Sequence, residues 1–348
     1  MPELPEVESL RIGLQKVLLS QKIISVKVRN PKLISQKKSH FSLFEWEACQ
    51  MKNQEIFENQ LVGQKFAKIS RRAKNLILEL ASGDLILTHL KMTGQLVFVG
   101  KNDNHLVYSS TQNIDKNYPE SEPENNLQKN TLQKNQTTNL EEKNVAKEQD
   151  IVFGGHPIEV LDLPSKHTHI IFELTDGWLF YNDIRQFGYM RYYPAGSLDQ
   201  ETHFAKLGVE PLSKDFQLDD FTKKLQKLKS GMLKKVLLDQ KIVVGLGNIY
   251  CDEVCFAAGI LPTRPVNTLT DLEIRKLFTE IKRIIPLAVK HGGSSIANYL
   301  LADGKRGNYA DFHMVYAKYN QPCSTCGNIL SKTKIGGRTT TFCHICQR

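Results

Sequence analysis

Hydrophobic positions along this chain follow two different periods. Near the N-terminus they recur at helical spacing, whereas residues 23–37 and 61–100 contain short runs rich in β-branched residues between turn residues. The positions at helical spacing are Val7, Leu10, Leu14, Val17 and Leu18. The pattern therefore predicts an N-terminal helix with one buried face, followed by a series of short strands.

The strand pattern is interrupted once and then resumes. From Lys101 to about Asp150 polar residues dominate, and hydrophobic residues are too sparse to offset the entropy lost on ordering, so we predict a disordered insertion there. Strands return at 169–174 and 178–181, on either side of a hairpin turn. Short strands joined by tight turns predict an antiparallel β-sandwich.

The second half of the chain has a helical pattern. One helix opens with a capping box formed by Thr270 and Glu273 and stops at the glycine pair 292–293. Another follows the glycine-rich turn 244–250, where Asn248 is a suitable N-cap and the free amides after it could hold a phosphate. A lone Gly-x-Gly is weak evidence for a nucleotide site. These helices beside the sandwich predict an α+β chain.

The charge balance narrows the class of partner. The chain has 46 Lys and Arg against 37 Asp and Glu, a formal net charge of +9. This excess favours a polyanion such as nucleic acid, and lysines crowd residues 223–241, where a solvated helix face and phosphate contacts are competing explanations. No apolar run approaches the ~18 residues of a membrane span, and the N-terminus is acidic where a signal peptide is basic. We expect a cytoplasmic protein without a membrane partner.

The C-terminal tail contains the strongest local motif. Its cysteines form two Cys-x-x-Cys pairs, at 323/326 and 343/346, a spacing typical of a four-thiolate zinc site. A redox pair or free thiols are the alternatives. The predicted ligands are Cys323, Cys326, Cys343 and Cys346. Residues between the pairs should form a hairpin, and the absence of Asp and Glu from 312 to 348 suits contact with DNA phosphates.

Two further stretches could carry chemistry. If Met1 is removed, Pro2 becomes a secondary amine near two carboxylates, and an α-amino group titrates near pKa ~8, so part of it is neutral and nucleophilic at pH 7. Taken alone, the Met-Pro pair is also explained as an ordinary N-terminus that has no chemical role. Arg71, Arg72 and Lys74 form a basic cluster that is either a solvated turn, a phosphate clamp or a lysine placed at a site.

An ordered set of motifs spans almost the whole chain except the insertion. The motifs are Met1-Pro-Glu-Leu-Pro-Glu-Val-Glu8, Arg71-Arg-Ala-Lys74, His89-Leu-Lys-Met-Thr-Gly94, Lys166-His167, Asp183-x-Arg185-x-Phe187-Gly188, Val244-Gly-Leu-Gly-Asn-Ile-Tyr250 and the cysteine tail. Together and in this order they resemble the bacterial formamidopyrimidine-DNA glycosylases, which excise oxidised purines such as 8-oxoguanine.

The resemblance implies a two-domain fold whose C-terminal part ends in a zinc finger, with one structural Zn²⁺ per chain. A catalytic β-sandwich domain would occupy residues 1–200, a helix–two-turn–helix DNA-binding domain 201–312, and a zinc finger 313–348. The implied partner is double-stranded DNA containing oxidised purines, bound by a monomer in the cleft between the domains. The loop at 303–307 would lie where the family folds a lid over the flipped base.

The resemblance also implies roles for individual residues. Pro2 would be the nucleophile, Glu3 the general acid/base and Glu6 a supporting carboxylate. Lys74 would be the acid for β-elimination, and Arg338 matches the finger arginine assigned to δ-elimination, which is better regarded as a phosphate clamp. The implied DNA-contacting residues are Met92, His167, Arg185, Phe187, Lys229 and Asn248. Of these, Met92, Arg185 and Phe187 would fill the void left by the flipped base.

Departures from the family pattern and two rival functions stay open at this point. Lys91, Ile184 and Gln186 differ from residues common in the family beside the void-filling group, so these departures bear on lesion preference and affinity more than on the chemistry. An endonuclease VIII-like enzyme acting on oxidised pyrimidines usually has Gly where Leu4 stands. A non-catalytic zinc-finger DNA-binding protein would lack the nucleophile, the acid or the lysine.

Overall fold

The computed structural model describes residues 2–35, 42–101, 151–153, 163–198, 202–294 and 307–348. Its helices are α1 Leu4–Leu18, α2 Leu43–Leu61, α3 Thr202–Ala205, α4 Leu218–Gln226, α5 Leu233–Leu237, α6 Asn248–Ala257 and α7 Asp271–Lys290. Its strands are β1 Ile23–Val28, β2 Phe66–Arg72, β3 Asn75–Leu80, β4 Leu85–His89, β5 Gly94–Gly100, β6 Ile151–Phe153, β7 Thr168–Leu174, β8 Gly177–Asp183, β9 Tyr189–Tyr193, β10 Ser331–Ile335 and β11 Arg338–Phe342.

The first nine strands form two antiparallel sheets. One has the order β1-β7-β8-β5-β6 and the other β2-β3-β4-β9. The hairpin between β7 and β8 closes at the pair Leu174 and Gly177, as its Thr-Asp-Gly sequence predicts. The predicted α+β class and antiparallel sheets are confirmed. No prediction covers α2, whose described buried residues include only Phe57 and Leu61 among its hydrophobic side chains.

Helix α1 connects two separate hydrophobic cores. Its residues Leu10, Leu14 and Leu18 pack with buried side chains of both sheets. Leu4, at the start of the same helix, packs instead with the helices of the second half, against side chains such as Leu246 and Tyr250. The helical spacing predicted the buried face, and its division between two cores places the N-terminus where the sandwich and the helices meet.

The helical half follows the predicted boundary signals. Thr270 accepts a hydrogen bond from the Glu273 backbone N–H at 3.3 Å, and the Glu273 side chain accepts from the Thr270 N–H at 2.8 Å. The chain leaves α7 through Gly292 and Gly293, whose φ values of 74° and 82° lie in the left-handed region. Among the described residues, none of the helices combines the length and apolar character needed to cross a membrane.

A two-stranded hairpin, β10 and β11, forms the C-terminal tail. Its turn is Gly336-Gly337, with φ of 56° and 76°, and two successive positive φ values suit a tight hairpin between right-twisted strands. Phe256 of α6 packs against this unit with Val315 and Leu330. The hairpin predicted between the cysteine pairs is therefore present and rests on α6. The predicted insertion and the 303–306 part of the predicted lid lie outside the described residues, as does Met1.

Candidate active site and DNA-contacting surface

The buried N-terminal segment lies in a cradle made by the glycine-rich turn. The Leu4 N–H donates to the Gly245 carbonyl at 3.0 Å. A Cβ on Gly245 would lie 2.4 Å from the Leu4 Cβ, and a Cβ on Gly247 would lie 2.3 Å from the Glu3 carboxyl carbon. Glycine is therefore required at both positions to admit the chain's own N-terminus, and the Gly-x-Gly motif is explained without a nucleotide.

The Glu3 carboxylate caps the N-terminus of α6. Its oxygens accept from the backbone N–H groups of Ile249 at 2.9 Å and Tyr250 at 3.4 Å. Two predictions are corrected here: Gly247, and not Asn248, is the N-cap, and the amides expected to hold a phosphate hold Glu3. A carboxylate is favoured at a helix N-terminus because free amides and the helix dipole both stabilise its charge.

Glu6 lies beneath the N-terminal segment and is 3% exposed. One oxygen accepts from the Glu3 N–H at 2.8 Å, and the other accepts from the Tyr250 hydroxyl and the Ser294 N–H, both at 2.7 Å. Burial, followed by the Glu3 charge, raises the pKa of Glu6 above its ordinary value, and hydrogen bonds from Tyr250, Ser294 and Glu3 oppose that rise. Glu6 thus holds the Glu3 peptide N–H, immediately after Pro2.

Lys74 enters the same site from the turn between β2 and β3. Its ammonium donates to the Leu246 carbonyl at 2.8 Å, and the residue is 7% exposed. Burial lowers the pKa of Lys74 from its ordinary value, while the charges of Glu3 and Glu6 oppose that change. The Arg338 charge lowers the pKa of Lys74 further, which places the exposed finger arginine within electrostatic reach of the lysine.

The other two residues of the basic cluster bind carboxylates. The Arg71 guanidinium contacts Glu8 at 2.9 Å and Glu210 at 2.8 Å, and Arg72 contacts Glu210 at 3.2 Å. The phosphate-clamp interpretation of these two arginines is therefore wrong. They join the sandwich to α1 through Glu8 and to the segment leading into the helical half through Glu210.

An exposed group of three side chains lies at one end of the sandwich. Met92 is 49% exposed, Phe187 is 55% exposed, and Arg185 is also exposed. The Arg185 guanidinium nitrogen lies 3.0 Å from the Met92 sulfur, and its central carbon lies 4.7 Å from the centre of the Phe187 ring. We call Met92, Arg185 and Phe187 the wedge. The structure brings these three predicted residues together.

Buried Asp183 holds the backbone beneath the wedge. Its carboxylate accepts from the Gly188 N–H at 2.7 Å, from the Arg185 N–H at 3.2 Å and from the Thr93 hydroxyl. A Cβ on Gly188 would lie 2.1 Å from the Tyr181 hydroxyl, so this turn needs glycine. Sequence reasoning quoted Asp183 in a motif and gave it no role.

The remaining predicted DNA contacts lie on separate segments. Lys229 is exposed between α4 and α5, and His167 is partly exposed before β7, where burial and the Lys166 charge lower the pKa of His167. The Asn248 side-chain amide donates to the Thr339 carbonyl at 3.0 Å, next to Arg338. The structure therefore connects Asn248 to the finger hairpin and leaves Lys229 free of the buried site.

The four predicted metal ligands lie together. The sulfurs of Cys323, Cys326, Cys343 and Cys346 all lie within 4.8 Å of one another. The Cys323–Cys346 sulfurs are 3.8 Å apart and those of Cys326 and Cys343 are 3.5 Å apart. A tetrahedral ion with metal–sulfur bonds of ~2.3 Å places its ligands about 3.8 Å apart, so the four thiols fit one such ion.

Comparisons with known proteins agree with this arrangement. Family models match the N-terminal domain of formamidopyrimidine-DNA glycosylase at residues 1–190, its H2TH domain at 207–299, and a zinc finger found in FPG and IleRS at 320–348. The formamidopyrimidine-DNA glycosylases of Listeria monocytogenes and Streptococcus mutans are 34% and 33% identical over 349 aligned residues, with 100% of each chain covered. The chain belongs to the formamidopyrimidine-DNA glycosylase family.

Solved structures of this family are similar over the same length. A complex of Lactococcus lactis Fpg with abasic-site DNA has a TM-score of 0.72 at 30% identity and covers 99% of both chains. A complex of wild-type L. lactis Fpg with DNA containing N7-benzyl-Fapy-dG also has a TM-score of 0.72 at 30% identity, with 100% of both chains covered. The predicted family and the prediction of a DNA-repair glycosylase are confirmed.

Sequence reasoning missed several residues that organise this glycosylase site. Glu210 was not singled out, yet its carboxylate also accepts from the Ala73 N–H at 2.6 Å, immediately before Lys74. Ser294 and His313 lie beyond Glu6 and were also missed. The only available signal was composition: each is a polar residue within an otherwise apolar or glycine-rich stretch, which is too common a pattern to indicate a site.

Proposed function

We propose that this chain is a bifunctional DNA glycosylase and abasic-site lyase that removes oxidised purines, including 8-oxoguanine and formamidopyrimidines, from double-stranded DNA. The observation that carries the proposal is the enclosure of the Pro2–Glu3 terminus between two cores, with Glu6 and Lys74 beside it. An ordinary helix start would pack equally well, so packing alone does not explain why the terminus is held in this way.

The proposed nucleophile is the secondary amine of Pro2 after removal of Met1. Its lone pair attacks C1′ of the damaged nucleotide, the glycosidic bond breaks, and the base leaves with the bonding electrons and gains a proton. Opening of the sugar ring then gives an iminium between Pro2 and C1′. Because the nitrogen of proline has no further proton to lose, the iminium stays cationic and withdraws electrons from C2′–H.

Glu3 and Lys74 are the proposed proton-handling groups. Glu3 is fixed by two α6 amides, so its carboxylate is oriented before substrate binds. We assign it the transfer of protons at the sugar. Lys74 has a lowered pKa because of burial, which eases release of a proton, and we assign it the acid role in β-elimination.

Arg338 is the proposed phosphate clamp for the second elimination. A guanidinium with a pKa above ~12 is a poor proton donor but a good bidentate partner for phosphate. Its exposed position on the hairpin and its electrostatic effect on Lys74 support placement of a phosphate between the finger and the site. β- and then δ-elimination would cut the strand on both sides of the sugar.

The exposed residues supply the proposed DNA contacts. The wedge would enter the stack where the damaged nucleotide is extruded, with the planar donors of Arg185 facing the orphaned cytosine. His167, Lys229 and Asn248 would contact the backbone. We propose that one monomer binds the duplex, which in a bacterial cell lies at the nucleoid, within the cytoplasm.

The proposed ion of the finger is Zn²⁺, one per chain. Four thiolates with near-tetrahedral spacing suit Zn²⁺ better than hard cations, which prefer oxygen ligands. The four cysteines would hold it, and its role is to fold the hairpin that carries Arg338. The proposed domain limits remain 1–200, 201–312 and 313–348, supported by the two cores and the separate cluster around Phe256.

Excision assays test the proposed substrate and reaction. Protein starting at Pro2 is given matched duplexes containing 8-oxoguanine opposite cytosine or thymine glycol opposite adenine. We expect faster excision of 8-oxoguanine and a one-nucleotide gap with phosphate at both ends. Preference for thymine glycol would support the endonuclease VIII-like alternative, and tight binding without excision would support the non-catalytic one.

A further inference from the structure

Three buried polar side chains extend from Glu6 away from the proposed nucleophile. Tyr250, Ser294 and His313 are 0%, 7% and 5% exposed. The Tyr250 hydroxyl lies 2.7 Å from the Glu6 carboxylate and 3.2 Å from the Ser294 hydroxyl, and the Ser294 hydroxyl lies 2.7 Å from the His313 Nε2. This chain of hydrogen bonds crosses from α1 to α6, then to Ser294 after α7 and to His313, the first residue of the proposed finger domain. The proposed chemistry gives these three residues no part.

With a neutral imidazole, two arrangements of the protons satisfy all three contacts. With an anionic Glu6, His313 Nε2–H donates to Ser294, whose hydroxyl donates to Tyr250, whose hydroxyl donates to Glu6. With a protonated Glu6 every donor reverses, and His313 Nε2 becomes the acceptor. The imidazole is neutral in both cases but carries its proton on different nitrogens. This chain of hydrogen bonds therefore couples the charge of Glu6 to the tautomer of His313.

We propose that His313, acting through Ser294 and Tyr250, is a positioning residue that sets the orientation and charge of Glu6. Through Glu6 it sets the position of the Pro2–Glu3 terminus. The inference rests on the proposed role of that terminus. Glu6 connects the two because its second oxygen accepts from the Glu3 N–H at 2.8 Å. Donors aligned toward a buried carboxylate strengthen one another, so the chain stabilises the anionic form more than isolated contacts would.

The surroundings favour a neutral imidazole. Burial and then the Lys318 charge lower the pKa of His313 to about 4, while Asp311 opposes that change. The Tyr309 and Tyr316 rings pack on it at 5.9 and 5.5 Å between centroids. The titratable and charged groups facing the two ends of the chain are Glu3, Lys74, Tyr309, Asp311, Tyr316 and Lys318.

Substitutions can remove single parts of this chain. Ser294→Ala deletes the hydroxyl but keeps the backbone N–H that donates to Glu6, and Ser294→Thr restores a hydroxyl. His313→Leu removes both ring nitrogens, whereas His313→Gln keeps an amide N–H that can reach Ser294. Tyr250→Phe removes the donor to Glu6 with little change of shape.

The test measures single-turnover excision from 8-oxoguanine duplex across pH, together with affinity for duplex containing an abasic-site analogue. We expect Tyr250→Phe, Ser294→Ala and His313→Leu to slow excision by about tenfold, the order of one buried hydrogen bond lost. The acidic limb of the pH profile should move to higher pH, because anionic Glu6 loses stabilisation. Ser294→Thr and His313→Gln should stay near wild type, and affinity should not change.

Outcomes separate this inference from the proposed function. If wild-type protein excises and traps DNA while Tyr250→Phe and Ser294→Ala keep its rate and pH profile, the inference is overturned and the function stands. Equal losses in His313→Leu and His313→Gln without a shifted profile would mean that the ring only fills space. Wild-type protein that never forms an adduct would overturn the proposed function and this inference with it.

Discussion

The buried site at Glu3 and the exposed wedge differ in burial and in the number of hydrogen bonds that fix their side chains. Around Glu3 and Glu6 each carboxylate accepts several hydrogen bonds, and glycines exclude any extra atom. The wedge side chains are exposed, and Arg185 contacts the other two, while Asp183 holds the backbone beneath them. Chemistry at a sugar needs groups oriented in advance, whereas entry into a base stack needs side chains that meet the DNA. The difference predicts separate losses: rate from the first region and duplex recognition from the second.

The largest expected effect comes from Glu3→Gln. The substitution keeps the shape but weakens the contact with the α6 amides and removes the proposed acid/base group, so we expect excision to fall by about 10²–10⁴-fold. Single-turnover rates at saturating enzyme measure this. Glu173→Gln, at a partly exposed position on β7 where the carboxylate accepts a hydrogen bond from Ser25, is the matched control. Activity of Glu3→Gln equal to that control would remove Glu3 from the mechanism.

Loss of the proposed Zn²⁺ of the finger should abolish DNA binding. Cys343→Ser removes one of four ligands, and because metal binding and local folding share one free energy, the hairpin with Arg338 should lose its structure. Metal content and affinity for lesion duplex are measured on the same preparation. Cys49→Ser, outside the cluster, is the control. Full affinity after complete loss of metal would contradict the prediction.

Gly247→Ala tests the cradle without changing a charged group. The added Cβ would lie 2.3 Å from the Glu3 carboxyl carbon, so either the carboxylate or the α6 N-terminus must move. A misplacement of about 1 Å in a catalytic group lowers the rate about a hundredfold, and we expect a loss of this order. Gly100→Ala is the control, since its Cβ would meet only the Asp176 carbonyl, at 3.9 Å. Equal activity of the two variants would show that Glu3 tolerates displacement.

Phe187→Ala should lose recognition and keep chemistry. Removing the exposed ring should weaken lesion binding and excision in duplex DNA by about tenfold, the order of one lost aromatic stacking contact. Cleavage of an abasic site in single-stranded DNA should change little, because no stack needs opening. Met51→Ala, at another exposed hydrophobic position, is the control. Equal losses on both substrates would place Phe187 in the chemistry.

The smallest expected effect is in the alkaline range of the pH profile. Burial lowers the pKa of Lys74, and an acid must be protonated to act. The rate of strand cleavage at a preformed abasic site should therefore fall as pH rises through a value below the ordinary lysine pKa of 10.5. Lys74→Arg should remove this decline while slowing the reaction. A rate that rises with pH through this range would assign Lys74 the role of a base.

The sequence predicted features that depend on neighbours along the chain. Short runs of β-branched residues between turn residues predicted the strands, the Thr270–Glu273 spacing predicted a helix start, and the cysteine spacing predicted the cluster of four thiols. The predictions that failed depend on distant partners. Asn248 looked like a cap because it opens α6, but Glu3 occupies those amides from the far end of the sequence. Arg71 looked free for phosphate because Glu210 is remote along the chain.

The proposed adduct at Pro2 gives the most direct test of the account. Protein starting at Pro2 is mixed with 8-oxoguanine duplex and borohydride, digested, and mapped by mass spectrometry. We expect one covalent adduct, on the N-terminal peptide at the Pro2 nitrogen, and no adduct at Pro2 in protein that retains Met1, because the Pro2 nitrogen is then an amide and is not nucleophilic. An adduct on the Lys74 peptide in wild-type protein, or no adduct despite excision, would contradict the claim that the chain's own terminus is the nucleophile.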